Sequence, residues 1–303
     1  MKRYFSIYYM ITPRCILNCG YCFRDTTPES IKSELDLNGI KKVIDHLYNN
    51  FNVRKLTLSG GEPTVLGGVR NTNFLEIIDY IKKYKFPDTK DNLRIELLSN
   101  GINITKEITD ALIGVVERIT ITLDSLEDSV LLKIGRNTNE YKDYVKKFWE
   151  RFEYFDSKGF QLKIHSVISP VNYDSICELV KVIVAEKRFK VTRWKFYQYM
   201  TYGQPEKDIV FELSDDKYRK KCKEIARICE DSGIELSFKD NKIMVDTMIN
   251  LIHSGRIESF TMDGDNRMRH LSKIITEYPN IEELIKDNRI DIEMFNKYHS
   301  III

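Results

Sequence analysis

The chain has 303 residues, 42% of them apolar, and 47 basic against 45 acidic side chains leave a formal charge of +2. That balance excludes binding to nucleic acid or an anionic membrane through net charge, so any basic character that matters is local. The length suits one α/β barrel-sized domain with a tail, no apolar run is long enough to span a membrane, and six cysteines without a signal peptide fit a reducing cytoplasm rather than a disulfide framework.

The first element in chain order is a strand over Tyr4–Met10, followed at once by Cys15-Ile-Leu-Asn-Cys19-Gly-Tyr-Cys22. Three thiolates this close in sequence can wrap one compact inorganic centre. A cubane iron–sulfur cluster normally takes four cysteines, so three leave one iron open. A structural zinc site would want a matching half downstream, and none follows; three unrelated thiols in a loop is the remaining reading. Further strands are expected over Val53–Leu58, Leu93–Leu98, Arg118–Leu123, Gln161–Val167, Thr192–Tyr197 and Ile234–Phe238, alternating with helices. Ile40, Val43, Ile44 and Leu47 keep helical spacing, as do Tyr141, Val145, Phe148, Phe152 and Phe155. A helix from about Asp215 to Asp231 carries Cys222 and Cys229, which with Cys177 read as small buried hydrophobes. Strands and helices in alternation favour a parallel sheet with covering helices. The stretch from Arg256 to His270 is expected to form a loop over the cavity mouth, and His46, His253, His270 and His299 are expected at the surface or in caps.

Strand alternation sorts side chains into two faces. Leu56 and Leu58, Ile119, Ile121 and Leu123, Leu162 and Ile164, and Trp194 and Phe196 form the helix-facing set. Opposite them stand Lys55, Thr57 and Ser59, then Thr120, Thr122 and Asp124, then Lys163 and His165, then Arg193 and Lys195. A packed barrel would bring apolar side chains there, because an unpartnered buried polar group costs roughly 2–7 kcal/mol. The interior is therefore expected to be a wet, liganded cavity. Lys55, Lys163, Arg193 and Lys195, joined by Arg136, put positive charge in it, and converging cations call for a negative ligand, most naturally a polyphosphate.

The three cysteines, with Tyr21 before the last and Ser59-Gly60-Gly61-Glu62-Pro63 some forty residues later, resemble the radical SAM enzymes. In that superfamily the open iron of a [4Fe-4S] cluster binds S-adenosylmethionine, whose reductive cleavage gives a 5′-deoxyadenosyl radical. The Gly-Gly pair has a rationale of its own: without Cβ atoms, backbone can approach a ligand closely. Nearly the whole chain is similar to one branch, the viperins. The residues that carry this are Lys55-Leu-Thr-Leu-Ser-Gly-Gly-Glu-Pro63, Leu98-Ser-Asn-Gly101, Asp124-Ser125 with Ile134-Gly-Arg136, Lys163-Ile-His-Ser-Val-Ile168, Arg193-Trp-Lys195 with Gln198, Asn241 with Met244 and Asp246, and Ile281-Glu-Glu running to Met294-Phe295.

The resemblance implies a partial (β/α)6 barrel over residues 1–212, with a C-terminal extension over 213–303 that closes the substrate cavity. It implies dehydration of a nucleoside triphosphate (CTP, UTP or GTP) to its 3′-deoxy-3′,4′-didehydro analogue, in antiviral defence. Cys15, Cys19 and Cys22 would hold the cluster, and Tyr21, Gly60, Gly61, Glu62, Ser99, Asp124 and Ser125 would help hold S-adenosylmethionine. Lys55, Arg136, Lys163, Arg193, Lys195 and Asn241 would bind the substrate, Ser59 would lie near the nucleotide ribose, and Ser59, Lys163 and His165 are the catalytic candidates. A flavodoxin- or ferredoxin-type reductant, a monomeric state and a cytoplasmic location go with it.

The chain also departs from that branch. Tyr8 stands where the animal enzymes have asparagine, Arg24-Asp25 where they have His-Thr, and Met248 where they have a tyrosine near the nucleotide. Methionine can neither donate a proton nor bond a hydroxyl as tyrosine does. Two other readings share the cysteines. One is a radical enzyme with a non-nucleotide substrate, which would not need the lysine set. The other is a catalytically silent iron–sulfur or nucleotide-binding protein, against which the intact cysteine and Gly-Gly-Glu stretches count.

Overall fold

The computed structural model describes residues 4–67, 72–87, 91–137, 141–200, 209–241, 250–263, 266–288, 290, 293 and 300–301. Met244, Asp246, Met248, Met294, Phe295 and His299 lie outside them. Seven strands run parallel and in chain order: β1 Tyr4–Met10, β2 Val53–Ser59, β3 Arg94–Ser99, β4 Val116–Thr122, β5 Gln161–Ile168, β6 Val191–Gln198 and β7 Glu235–Lys239. Helices α1 Pro28–Lys32, α2 Leu37–Asn49, α3 Thr72–Ile81, α4 Lys106–Leu112, α5 Asp128–Ile134, α6 Tyr144–Ser157, α7 Ile176–Ala185 and α8 Asp215–Ile228 lie between them. The architecture is the expected α/β one, with a parallel sheet that does not close into a barrel.

The helix-facing set is the core. Leu56, Leu58, Ile119, Leu162, Ile164, Trp194 and Phe196 are all fully buried, and they pack with Ile40, Ile44 and Leu47 of α2 and Phe148, Phe152 and Phe155 of α6. Short polar side chains set helix starts: Asp36, Thr105 and Ser214 each accept a backbone N–H three residues on.

The sheet curls strongly. Lys195 Nζ on β6 donates to the Tyr8 hydroxyl on β1 at 3.0 Å, although four strands separate β1 from β6. Only a rolled sheet brings those side chains together. Beyond β1 the sheet continues in β8 Asn250–Leu251, parallel to β1, and in the antiparallel pair β9 Arg256–Asp263 and β10 Asn266–Ile274. After helix α9, Ile281–Asp287, β11 Ser300–Ile301 pairs with the start of β1.

Three expectations need correction. The stretch from Arg256 to His270 is a β-hairpin that extends the sheet, with Ile257 fully buried, and not a loop over the cavity mouth. Cys229 is buried, but Cys177 and Cys222 are only half-buried, because they sit where α7 and α8 meet at the molecule's outer layer. His253 is buried rather than superficial: its Nε2 lies 2.9 Å from the Ser30 carbonyl and 3.2 Å from the Ser33 hydroxyl, tying β8 to α1.

Candidate active site

The strand ends and the strand bodies carry different residues. Third positions of five consecutive strands are Lys55, Glu96, Arg118, Lys163 and Arg193, a charged layer across the concave face. Fifth positions include Tyr8, Thr57, Thr120, His165 and Lys195. Past the C-terminal ends come the cysteine loop after β1, Gly60-Gly61-Glu62 after β2, Asn100 after β3 and Asp124-Ser125 after β4. Strand rise puts Ser59 about 13 Å from Lys55 on the same face of β2, between the charged layer and the cysteine rim.

The rim is a bonded ring. Ile11 N donates to Ser59 O at 2.9 Å, Gly61 N to Thr12 O at 2.7 Å and Glu62 N to Arg14 O at 2.7 Å, so the stem of the cysteine loop runs alongside the glycine pair. A Cβ on Gly61 would lie 2.2 Å from Arg14 O, and one on Gly60, whose φ is +149°, 2.4 Å from Thr12 O. The glycine pair thus makes room for the chain's own backbone, where the sequence reading had assigned that room to a ligand. Glu62 is fully buried and accepts from Ser99 Oγ and Asn100 N, both at 2.7 Å, and from Thr64 Oγ1 at 2.8 Å. Burial raises its pKa, and those hydrogen bonds work against the rise. It braces the glycine turn to the end of β3.

On the far side, Asp124 Oδ2 accepts from Arg136 Nε and from the Tyr21 hydroxyl, both at 2.6 Å, while Oδ1 accepts from Val167 N at 2.8 Å. Arg136 is therefore bound beside the cysteine loop, and the structure does not place it with the lysines. Ser125 Oγ accepts from Glu127 N at 3.0 Å, ahead of α5. The C-terminus of α5 abuts the cysteine loop: Gly20 N donates to Ile134 O at 2.8 Å, and Gly135, with φ +86°, comes so close to Asn18 that a Cβ would lie 2.6 Å from its carbonyl. Arg24, a departure from the viperin pattern, donates to the carbonyls of Pro13 and Leu17 and staples the loop from within.

Cys15, Cys19 and Cys22 share this loop, with Asn100 Nδ2 3.6 Å from Cys15 Sγ and Leu17 N 3.4 Å from it. Burial pushes the Cys19 thiol up to about 12 and raises that of Cys15. Thiols in such surroundings become thiolates when a multivalent cation is bound. Among the described residues no three His, Cys, Asp or Glu side chains converge on a single metal ion. Three soft sulfurs that are electrostatic neighbours on one loop, with N–H donors aimed at one of them, fit an iron–sulfur cluster.

Lys163 of the charged layer is fully buried and Lys195, one step nearer the rim on the same face, is half-buried, and burial pulls each down to about 8. His165 is buried, and its pKa is driven well below the usual value by burial and by Lys163, Lys195 and Arg193, so its ring is neutral. It meets the Tyr197 ring edge to face at 5.2 Å, and its Nε2 has no hydrogen-bond partner among the described residues. Ser59 Oγ donates to Tyr9 O at 3.3 Å. Asn241 is anchored by its backbone N–H to Gln198 Oε1 at 3.1 Å, and its own Oδ1 is buried with no hydrogen-bond partner among the described residues. Arg193 pairs with Glu235 at 2.8 Å.

Sequence reasoning missed Glu96. It lies 2.9 Å from Lys55 Nζ and 3.6 Å from Lys163 Nζ, and it also accepts from Arg118. These cations outweigh burial and hold its carboxyl at about 2. The signal was present, since applying the alternation rule to β3 puts Glu96 opposite Ile95 and Leu97. The same rule on β4 would have found Arg118.

The family model of the Radical SAM superfamily matches residues 9–183. A "Probable GTP 3',8-cyclase" of Methanococcus maripaludis is 32% identical over 139 residues, 45% of this chain and 43% of that protein. An "S-adenosylmethionine-dependent nucleotide dehydratase" of Lacinutrix mariniflava is 24% identical over 301 residues, 96% of this chain and 56% of that protein. The chain thus spans about half the length of these curated relatives. Among solved structures, Streptococcus suis SuiB bound to S-adenosylmethionine superposes with TM-score 0.64 at 15% identity, over 96% of this chain and 67% of that one. Coproporphyrinogen III oxidase from Escherichia coli, described as a radical SAM enzyme, superposes with TM-score 0.60 at 15% identity, over 100% of this chain and 72% of that one. Both show the fold.

Proposed function

The chain belongs to the radical SAM superfamily, and from that premise we propose that it dehydrates a nucleoside triphosphate to the 3′-deoxy-3′,4′-didehydro analogue, as a viperin-like enzyme of antiviral defence. The superfamily's cofactors are a [4Fe-4S] cluster and S-adenosylmethionine, which together supply a 5′-deoxyadenosyl radical able to take a hydrogen atom from the substrate. Cys15, Cys19 and Cys22 would hold the cluster. The rim from Gly60 to Ser125 would cradle S-adenosylmethionine, with Glu62 and Asp124 acting as braces because their oxygens are already bonded within the protein.

The observation that carries the proposal is the charged layer about 13 Å below Ser59, itself beneath the cysteine rim, on one curled sheet face. Phosphates held by Lys55, Lys163, Arg193 and Lys195 would set the ribose near Ser59, with its hydrogens toward the rim. Positioning of this kind lets a reactive radical meet one C–H bond and little else. His165, neutral and with a ring nitrogen that has no partner among the described residues, can hold or accept a hydrogen bond at the sugar without adding charge. The similarity to the nucleotide dehydratase supports the substrate class. Among the described residues no helix is long and apolar enough to cross a membrane, and we place the enzyme in the cytoplasm as a monomer served by a flavodoxin- or ferredoxin-type reductant.

The test is anaerobic turnover of the reconstituted protein with S-adenosylmethionine, a reductant and each of CTP, UTP, GTP and ATP. Loss of one water from one triphosphate, in step with 5′-deoxyadenosine, is the expected result. The similarity to GTP 3',8-cyclases favours a second reading, which the same assay separates: ring closure without loss of water leaves the nucleotide's mass unchanged. Deoxyadenosine formation indifferent to all four nucleotides would overturn both.

A further inference from the structure

Glu96 is an anion built into a site for anions. Its side chain is 4% exposed and faces two lysine ammonium groups and one guanidinium, from three different strands, with the Thr57 hydroxyl 3.4 Å away. Such a convergence of donors is what binds a phosphate oxygen. A buried carboxylate so placed neutralises cations that would otherwise be desolvated without partners. Lys195 differs: its ammonium is bonded to the Tyr8 hydroxyl and, among the described residues, pairs with no carboxylate.

We propose that Glu96 is a placeholder anion that occupies a phosphate position in the empty site, must yield Lys55 and Lys163 when a polyphosphate chain enters, and thereby sets the affinity for that chain. The inference rests on the nucleotide reading for the identity of the ligand, but the geometry requires only a polyphosphate. Charge repulsion from Glu96 grows with each phosphate that reaches Lys55 and Lys163, so its effect falls mainly on the triphosphate. A short anion held at Lys195 and Arg193 leaves the Glu96 pairs intact.

The experiment measures Kd for inorganic triphosphate, pyrophosphate and phosphate, and for CTP, UTP and GTP, on wild type and Glu96→Gln. Glu96→Gln is expected to bind inorganic triphosphate about tenfold more tightly, with a smaller gain for pyrophosphate and almost none for phosphate. The unliganded variant is expected to melt earlier, since three cations lose their partner. Equal or weaker triphosphate binding by the variant would overturn the proposal. So would Glu96→Asp tightening binding as much as Glu96→Gln, because packing and not charge would then be responsible. If Glu96→Gln does not fold, Lys55→Met and Lys195→Met are compared: the placeholder requires Lys195→Met to cost the triphosphate more, and equal losses would overturn it. Tighter binding of inorganic triphosphate by Glu96→Gln, with no nucleotide bound by either form, would uphold Glu96 and sink the nucleotide reading. Nucleotide binding that is indifferent to Glu96 would do the reverse.

Discussion

Lys163 and Lys195 lie close to neutrality because removing an ammonium from water costs more than their neighbours return. Burial draws both to about 8, and each feels the other cations of the layer. A polyphosphate binds the protonated lysines, so its affinity should fall as pH rises through about 8, by about tenfold for each lysine and so about a hundredfold for the two between about pH 7 and about pH 9. The empty protein should respond in the opposite sense. Between about 8 and the ordinary lysine value of 10.5 the unfolded chain holds protons that the folded chain has lost, so stability rises with pH in that window. Ligand titration and denaturant melts across this range check both signs, and an affinity flat to about pH 10 would refute the assignment of these lysines to phosphate. Phase alone brought Lys55, Lys163, Arg193 and Lys195 to one face correctly. It could not show that Arg136 spends its charge on Asp124, because that contact joins residues on either side of α5.

At the scale of elements, the cysteine loop is held by backbone. Gly61 sits against Arg14, and the bonds from Gly61 N and Glu62 N register the loop stem to the end of β2. Gly61→Ala puts a methyl where a carbonyl already lies and should destabilise the protein by about 1–3 kcal/mol. The same shift should lower the iron bound after anaerobic reconstitution, because the stem that presents Cys15 must move. Wild-type iron content with a wild-type denaturation midpoint would show that the turn tolerates the side chain. The Ser-Gly-Gly-Glu-Pro stretch was legible as a site element from sequence. Its mechanical role was not, since close approach of two backbones leaves no mark in either segment alone.

For the whole molecule, one sheet carries both the site and the C-terminal part of the chain. β7 adds to β6, while β8 adds to β1 and covers its edge through Tyr8–Asn250 and Tyr9–Leu251, with Leu251 fully buried. Removing residues 250–303 would strip that edge and expose Leu251's packing surface, including Tyr9. The full chain is expected to unfold in one transition, and the truncated chain to lose it or melt well below it. Calorimetry of the two forms decides, and an unchanged transition would mean that β8–β10 are an independent appendage. The seven parallel strands, their two faces, the cysteine loop and the glycine turn could be read from the residues alone, because these depend on spacing and on alternation within short segments. It took the folded chain to show that Glu96 sits among the lysines, that Lys195 reaches Tyr8, that Arg136 belongs to the cluster side, and that strands Arg256–Asp263 and Asn266–Ile274 pair antiparallel. Each of these rests on which strands become neighbours and how far the sheet curls, and both follow from packing across the whole chain.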